Sequence, residues 1–112
     1  MSLDLPVVPD LRMDLVPPDV GAAVEAATLI ADHNRAAILA ILRGGAHCVC
    51  EMAAALDERQ NNVSNHLARL RDAGLVRTVR ASADSRRVYY ERDEEACEAA
   101  SAELRRVLEP GR

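Results

Sequence analysis

Two cysteines separated by one residue, Cys48 and Cys50, are the side chains in this sequence best suited to hold an ion. Thiolates are soft ligands that select soft or borderline ions and exclude magnesium and calcium. The pair stands where a short helix over residues 51–56 is predicted to begin, and the free N–H groups of a helix start lower a thiol pKa. Side chains two apart diverge on a helix, so both sulfurs reach one ion only if the backbone around Val49 is not regular helix.

A polar helix is predicted directly after the thiol-bearing helix, over about residues 60–72. Val63, Leu67 and Leu70 recur at helical spacing and are predicted to face the core, which leaves the polar side chains outside. Amides and hydroxyls at the front of such a helix can pair with base edges in the major groove of DNA. The predicted DNA-contacting residues are Gln60, Asn61, Asn62, Ser64 and Asn65, with Arg69 directed at phosphates.

Helix-capping and helix-breaking residues predict the elements that precede this helix. Four prolines make residues 1–18 an extended arm, and Asp19 is expected to cap a first helix with Val24, Ala27 and Ile30 among its apolar positions. Asp32 is expected to cap a second helix, which carries an apolar stripe and ends at Gly44-Gly45. That stripe consists of Ile38, Leu39, Ile41 and Leu42.

The elements after the polar helix complete a recognisable order. The segments LVRTVRA and RRVYYER alternate apolar and polar residues and predict a β-hairpin. A last helix, from about residue 93 to 108, carries Cys97, Ala100, Leu104 and Leu108 on one stripe. The chain is therefore predicted to be mainly α with a β-hairpin wing, a winged helix-turn-helix domain over residues 19–108 followed by a tail, residues 109–112. The thin core, without Phe or Trp, favours a homodimer formed by the first and last helices.

Charge is distributed unevenly along the chain. The net charge is -4, but the segment from Arg59 to Arg87 holds seven arginines against Asp72 and Asp84. A basic patch on an acidic body is the pattern of a local phosphate footprint. Arg86 and Arg87, at the predicted wing, are expected to contact the DNA backbone or the minor groove.

The cysteine count and the first residues suggest a compartment. Three cysteines without an export signal favour free thiols in a reducing environment. The segment MSLDLPVVPD has neither a positive start nor a long apolar run, so the cytoplasm is expected and a membrane segment is not.

Four segments together resemble the ArsR/SmtB family of metal-responsive repressors: ADHNRAAILAIL, CVCEMAAAL, VSNHLARLRDAGLV and the wing ending in RRVYY. The resemblance implies a homodimeric repressor that binds operator DNA without metal and releases it when an ion binds. It also implies that the CVC element resembles the thiolate site of members that sense arsenite, antimonite, cadmium, lead or zinc. The third cysteine common in arsenite-type elements is replaced by Ala53, and the N-terminal arm adds no cysteine.

The third ligand therefore stays open between three candidates. Trivalent arsenic or antimony needs three thiolates, or two with an exogenous ligand. Cys97, His47 or a small-molecule thiol could complete the set, and His47 would suit zinc or cadmium better than arsenic. Cys97 also fits the apolar stripe of the last helix, and His66 is interpreted as structural.

Two other functions compete with the metal-responsive repressor. Cys97 could pair with Cys48 or Cys50 as a disulfide or polysulfide, which would make the protein a redox or persulfide sensor that still binds DNA. A metal-buffering or interaction module without DNA binding is the second alternative. An enzyme is disfavoured, because no Gly-rich phosphate loop occurs and the cysteines have no evident orienting partner.

Overall fold

The structure, a computed structural model, describes residues 15–79 and 87–111. Its helices are α1 (Val20–Ile30), α2 (His33–Leu42), α3 (Val49–Leu56), α4 (Gln60–Asp72) and α5 (Glu94–Leu108). Its strands are β1 (His47–Cys48), β2 (Val76–Val79) and β3 (Tyr89–Arg92). The predicted fold, mainly helical with an antiparallel hairpin, is confirmed. Within these ranges, no helix combines the length and apolar character needed to cross a membrane.

The core lies between α2, α3, α4 and the base of the hairpin. Val63, Leu67 and Leu70 are completely buried, as their spacing on α4 predicts. They pack with residues from each neighbouring element, so α3 and α4 share one apolar interior. The cluster comprises Ile38, Leu42, Met52, Ala53, Val63, Leu67, Leu70, Leu75 and Val76.

The two predicted helix caps have different outcomes. The side chain of Asp32 accepts hydrogen bonds from the backbone N–H groups of Asn34 and Arg35, at 2.9 and 3.1 Å, so this cap is confirmed. Asp19 precedes α1, but its side chain makes no capping bond. Its carboxylate instead lies 3.3 Å from the guanidinium of Arg106 on α5, because α1 and α5 pack against each other.

The apolar residues of α1 divide between two faces. Ala23 and Ala26 are buried, whereas Val24 and Ile30 remain exposed in the single chain. Val24 and Ile30, predicted as apolar positions of the first helix, therefore lie outside the core of the single chain. On α1 the buried residues are thus small alanines, and the larger side chains of Val24 and Ile30 lie on the outer surface.

The three strands form one antiparallel sheet in the order β1-β3-β2. The pairing of β2 with β3 confirms the predicted hairpin, with Val79 opposite Tyr89 and Val76 opposite Arg92. Residues 80–86, including Arg86, lie outside the described residues. Strand β1, which the sequence does not predict, pairs with β3, so that Cys48 lies opposite Tyr89. This pairing fixes the first cysteine of the CVC element beside the wing.

Candidate ligand and nucleic-acid site

The thiol pair lies across a junction between strand and helix. Cys48 is the last residue of β1 and the N-cap of α3, with extended backbone angles (φ -88°, ψ 165°), while Cys50 belongs to the first turn of the helix. The break from helical geometry that two converging thiols require is therefore present. Cys48 is buried and Cys50 is half-buried.

Cys48 and Glu51 hold the start of α3 together. They form a capping box in which the Glu51 carboxylate accepts the Cys48 backbone N–H at 2.9 Å. That hydrogen bond is the main reason why the pKa of Glu51 is lowered. A carboxylate engaged in this way orders the backbone between the two cysteines.

Burial changes the acidity of Cys48 against the expectation from the sequence. The pKa of its thiol is raised, first because burial disfavours the thiolate and then because of a hydrogen bond with the Cys50 thiol. The prediction that the helix start lowers the thiol pKa is thus wrong for Cys48. Both thiols line the same cleft.

The central strand β3 brings Arg87 to the thiols. Pairing of Cys48 with Tyr89 sets the start of β3 beside the thiols, and Arg87, two residues earlier, lines one cleft with Cys48 and Cys50. The pKa of the Arg87 guanidinium is raised, first by the charge of Cys50, then by a hydrogen bond with Tyr89 and by the charge of Cys48. Arg87, predicted only as a DNA contact, therefore lies beside the candidate ligand pair.

One open cleft of about 290 Å³ joins the thiols to the front of α4 and to the wing. Its lining consists of Cys48, Val49, Cys50, Gln60, Ser64, Arg87 and Val88. Two of these, Gln60 and Ser64, are predicted DNA contacts on α4. A ligand bound by the cysteines would consequently touch the same helix turn that is predicted to meet the base pairs.

The polar face of α4 is accessible along its whole front. All six predicted contacts on this helix are exposed in the single chain: Gln60, Asn61, Asn62, Ser64, Asn65 and Arg69. Asn62 differs from the others, because its amide donates to the Glu58 carboxylate at 2.9 Å. Glu58 also accepts a hydrogen bond from Asn34 at 3.1 Å, so it pins the turn between α3 and α4 to α2. Glu58 thus stabilises the turn between α3 and α4.

The candidates for a third ligand are placed elsewhere within one chain. The Nδ1 atom of His47 lies 2.9 Å from the carbonyl of Gly45. The Cys97 thiol donates to the carbonyl of Leu75 at 3.6 Å and lines a different groove, between α2 and α5. Across residues 15–79 and 87–111, no group of three or more His, Cys, Asp or Glu side chains is arranged to hold a metal. The pair therefore offers two protein ligands, and the placement of Cys97 in another groove gives no support to a disulfide within one chain.

Arg35 is a structural residue that sequence reasoning did not identify. It is only 8% exposed, and its guanidinium donates to the carbonyls of Leu29 (2.6 Å) and Thr28 (3.1 Å) at the end of α1. It also lies 3.5 Å from the ring of His66, which supports the structural interpretation of that histidine. An arginine within an otherwise apolar helix was the available signal.

Comparison with known families finds a similarity to bacterial regulators. The family described as "Bacterial regulatory protein, arsR family" matches residues 32–78, which run from the cap of α2 into β2. The arsenic resistance transcriptional regulator ArsR1 of Pseudomonas putida is 38% identical over 81 residues, covering 71% of this chain and 61% of that protein. This chain spans between 42% and 61% of the length of the curated relatives that it matches.

Solved structures share the fold. HlyU from Vibrio cholerae superposes with a TM-score of 0.63 at 28% identity, covering 82% of this chain and 97% of that one. A cysteine-to-serine mutant of ZitR from Lactococcus lactis, solved in complex with DNA, gives a TM-score of 0.54 at 25% identity. That match covers 62% of this chain and 47% of ZitR.

Proposed function

This chain is a winged-helix protein of the ArsR family, and from that premise we propose that it is a transcriptional repressor whose hold on operator DNA is controlled by a ligand at Cys48 and Cys50. The observation that carries the proposal is the shared cleft, which contains both thiols, Gln60 and Ser64 of α4, and Arg87. Such a repressor acts in the cytoplasm, where its operator lies, and performs no catalysis.

DNA binding is supported by the exposed front of α4. Its amides and hydroxyl are free of the core, and in a helix-turn-helix this turn enters the major groove. Asn61 and Asn65 can pair bidentate with adenine, and Ser64 suits several bases. Arg69 and Arg87 are proposed to contact the DNA backbone beside it.

A homodimer is supported by an apolar surface on the outer side of α1 and α5. A groove of about 220 Å³ runs between the helices, and Val24 and Leu108 on its walls are 56% and 77% exposed. Its lining is entirely apolar: Val20, Ala23, Val24, Ala27, Leu104, Val107 and Leu108. A second copy packed on this surface would present two α4 helices to an imperfect inverted repeat, about one DNA turn apart.

Arsenite is the inducer that the ligand set supports best. Zinc and cadmium sites usually take four protein ligands, or three with an open position, whereas the described residues bring only two thiols together. Trivalent arsenic forms three bonds and can keep a hydroxyl on the third. Exchange of As(OH)3 with two thiols gives (RS)2AsOH and two waters, in which the two thiol protons leave with the displaced hydroxyls.

Release of DNA follows from the position of the cleft. A ligand bridging Cys48 and Cys50 ties the first turn of α3 to β1, and α3 packs directly on α4. It also fills the space in front of Gln60 and Ser64. Both effects disturb the surface that meets the major groove.

The test is a fluorescence anisotropy titration with a labelled duplex from the region upstream of the gene. The wild-type protein should bind, and arsenite should release it. Cys48→Ser and Cys50→Ser should bind DNA and ignore arsenite, whereas Cys97→Ser should respond like wild type. Release from the Cys48→Ser and Cys50→Ser variants would refute the ligand assignment. Loss of the response in Cys97→Ser alone would favour the redox alternative.

A further inference from the structure

The cleft that holds the thiol pair also contains polar groups of α4 and the wing. A trivalent arsenical held by Cys48 and Cys50 would keep a third, non-protein substituent, and the groups available to contact it would be the others that line this cleft. The polar side chains there, apart from the thiols, are Gln60, Ser64 and Arg87. The described part of the chain places no His, Cys, Asp or Glu cluster there to supply a third bond.

We infer that Arg87 determines which ligands the pair accepts, by donating hydrogen bonds to the third, non-protein substituent of a bound arsenical. This role rests on the proposed function of the pair and adds a specificity-determining residue to it. Guanidinium carries only donors, in a rigid planar fork that suits oxygen acceptors, so it can hold a hydroxyl on arsenic but cannot ligate a metal.

The surroundings of Arg87 keep its guanidinium at the thiols. It lines the same cleft as Cys48 and Cys50, and its guanidinium makes a hydrogen bond with Tyr89. The pKa of the Glu51 carboxylate, on the first turn of α3, is lowered mainly by its hydrogen bond with Cys48, and the charge of Arg87 contributes to that lowering. An oxygen acceptor at the mouth of the cleft would therefore meet a donor that is already oriented.

Two arsenicals that differ only in the third substituent separate this role from a general effect on the thiols. Arsenite bound to two thiols keeps a hydroxyl, which accepts hydrogen bonds. Phenylarsine oxide exchanges its oxygen for two thiols, PhAsO + 2 RSH giving PhAs(SR)2 and water, and keeps a phenyl ring, which carries no oxygen acceptor. Any change in thiol acidity affects both ligands, so the ratio of the two affinities isolates the hydrogen bond.

The experiment is calorimetric titration of the reduced, DNA-free full chain with each arsenical. Arg87→Ala should weaken arsenite binding by about tenfold, the effect of one hydrogen bond from a charged donor, and change phenylarsine oxide binding by less than about twofold. Arg87→Lys, which keeps a charged donor, should recover part of the loss. Arg105→Ala, an exposed arginine on α5, is the matched control and should change neither affinity.

The outcomes distinguish this role from the proposed function. Equal weakening of both arsenicals, or no weakening of either, would overturn the role of Arg87 while arsenite could still release DNA from the wild-type protein. A selective loss for arsenite would support it even if arsenite failed to release DNA. Failure of the wild-type protein to bind either arsenical would refute both.

Discussion

Cys48 has three structural roles: it is the last residue of β1, it caps α3, and it lines the cleft between the thiols and the front of α4. Burial raises the pKa of its thiol above the ordinary value, because desolvation disfavours the thiolate. A ligand that exchanges hydroxide for thiol suits such a residue better than a divalent cation, which must displace protons. At this scale, acidity and geometry favour the same class of inducer.

Arg35 offers a stability test at the same scale. Arg35→Ala removes the donors to the Leu29 and Thr28 carbonyls and opens space beside His66, so the free energy of unfolding should fall by about 2 kcal/mol. Urea denaturation followed by circular dichroism measures the change. Arg71→Ala, an exposed arginine on α4, is the control and should stay within about 0.5 kcal/mol of wild type. An equal loss in both variants would contradict the structural role of Arg35.

Among the elements, the sequence predicts those whose signals are local. The bounds of α4 follow from Val63, Leu67 and Leu70, and the start of α2 follows from the cap at Asp32. Strand β1 has only two residues, too few to show an alternating pattern, and it forms by pairing with a strand about 40 residues away. The position of Arg87 beside the thiols depends on that pairing, so the composition of the cleft could not be predicted from local patterns.

The two aspartates that precede helices give a matched pair for element stability. Asp32→Ala should lower the melting temperature by a few degrees because it removes the acceptor for two backbone N–H groups of α2. Asp19→Ala removes a contact with exposed Arg106 and should have a smaller effect. Thermal denaturation at neutral pH compares the two variants. Equal decreases in melting temperature would mean that the Asp32 cap stabilises the protein no more than the Asp19 contact does.

The same cap makes α2 sensitive to acid. Hydrogen bonding from Arg35 is the main cause that holds the pKa of Asp32 below its ordinary value of 3.8. A depressed carboxyl pKa contributes stability that is present above the ordinary value and is lost as pH falls through the folded value. The stability difference between wild type and Asp32→Asn should therefore shrink as the pH falls below 3.8. A constant difference across that window, measured by urea denaturation, would show that ionised Asp32 is not responsible.

The proposed DNA contacts of α4 can be tested by measuring how DNA binding depends on salt concentration. Arg69→Ala should weaken binding to all sequences and reduce the salt slope by about 1, whereas Gln60→Ala should change base preference. Arg105→Ala on α5 serves as the control. Anisotropy titrations at several salt concentrations measure both effects, and an unchanged slope for Arg69→Ala would exclude a phosphate contact.

For the whole molecule, the exposed apolar surface of α1 and α5 is the feature that one chain leaves unexplained. Val24→Asp places a charge on this surface without disturbing the core, because Val24 is already exposed. We expect the variant to sediment as a monomer and to lose most of its affinity for a two-half-site operator. Ala55→Asp, at an exposed position on α3, should remain dimeric. A wild-type protein that sediments as a monomer would contradict the homodimer.

The central claim is that the thiol cleft and the DNA-binding face of α4 are energetically coupled, and coupling between two ligands is reciprocal. Titration of arsenite into the free protein and into the protein saturated with operator DNA measures it most directly. Arsenite should bind the DNA complex more weakly, by the same factor by which arsenite weakens DNA binding. Equal arsenite affinity in the presence and absence of DNA would contradict the account.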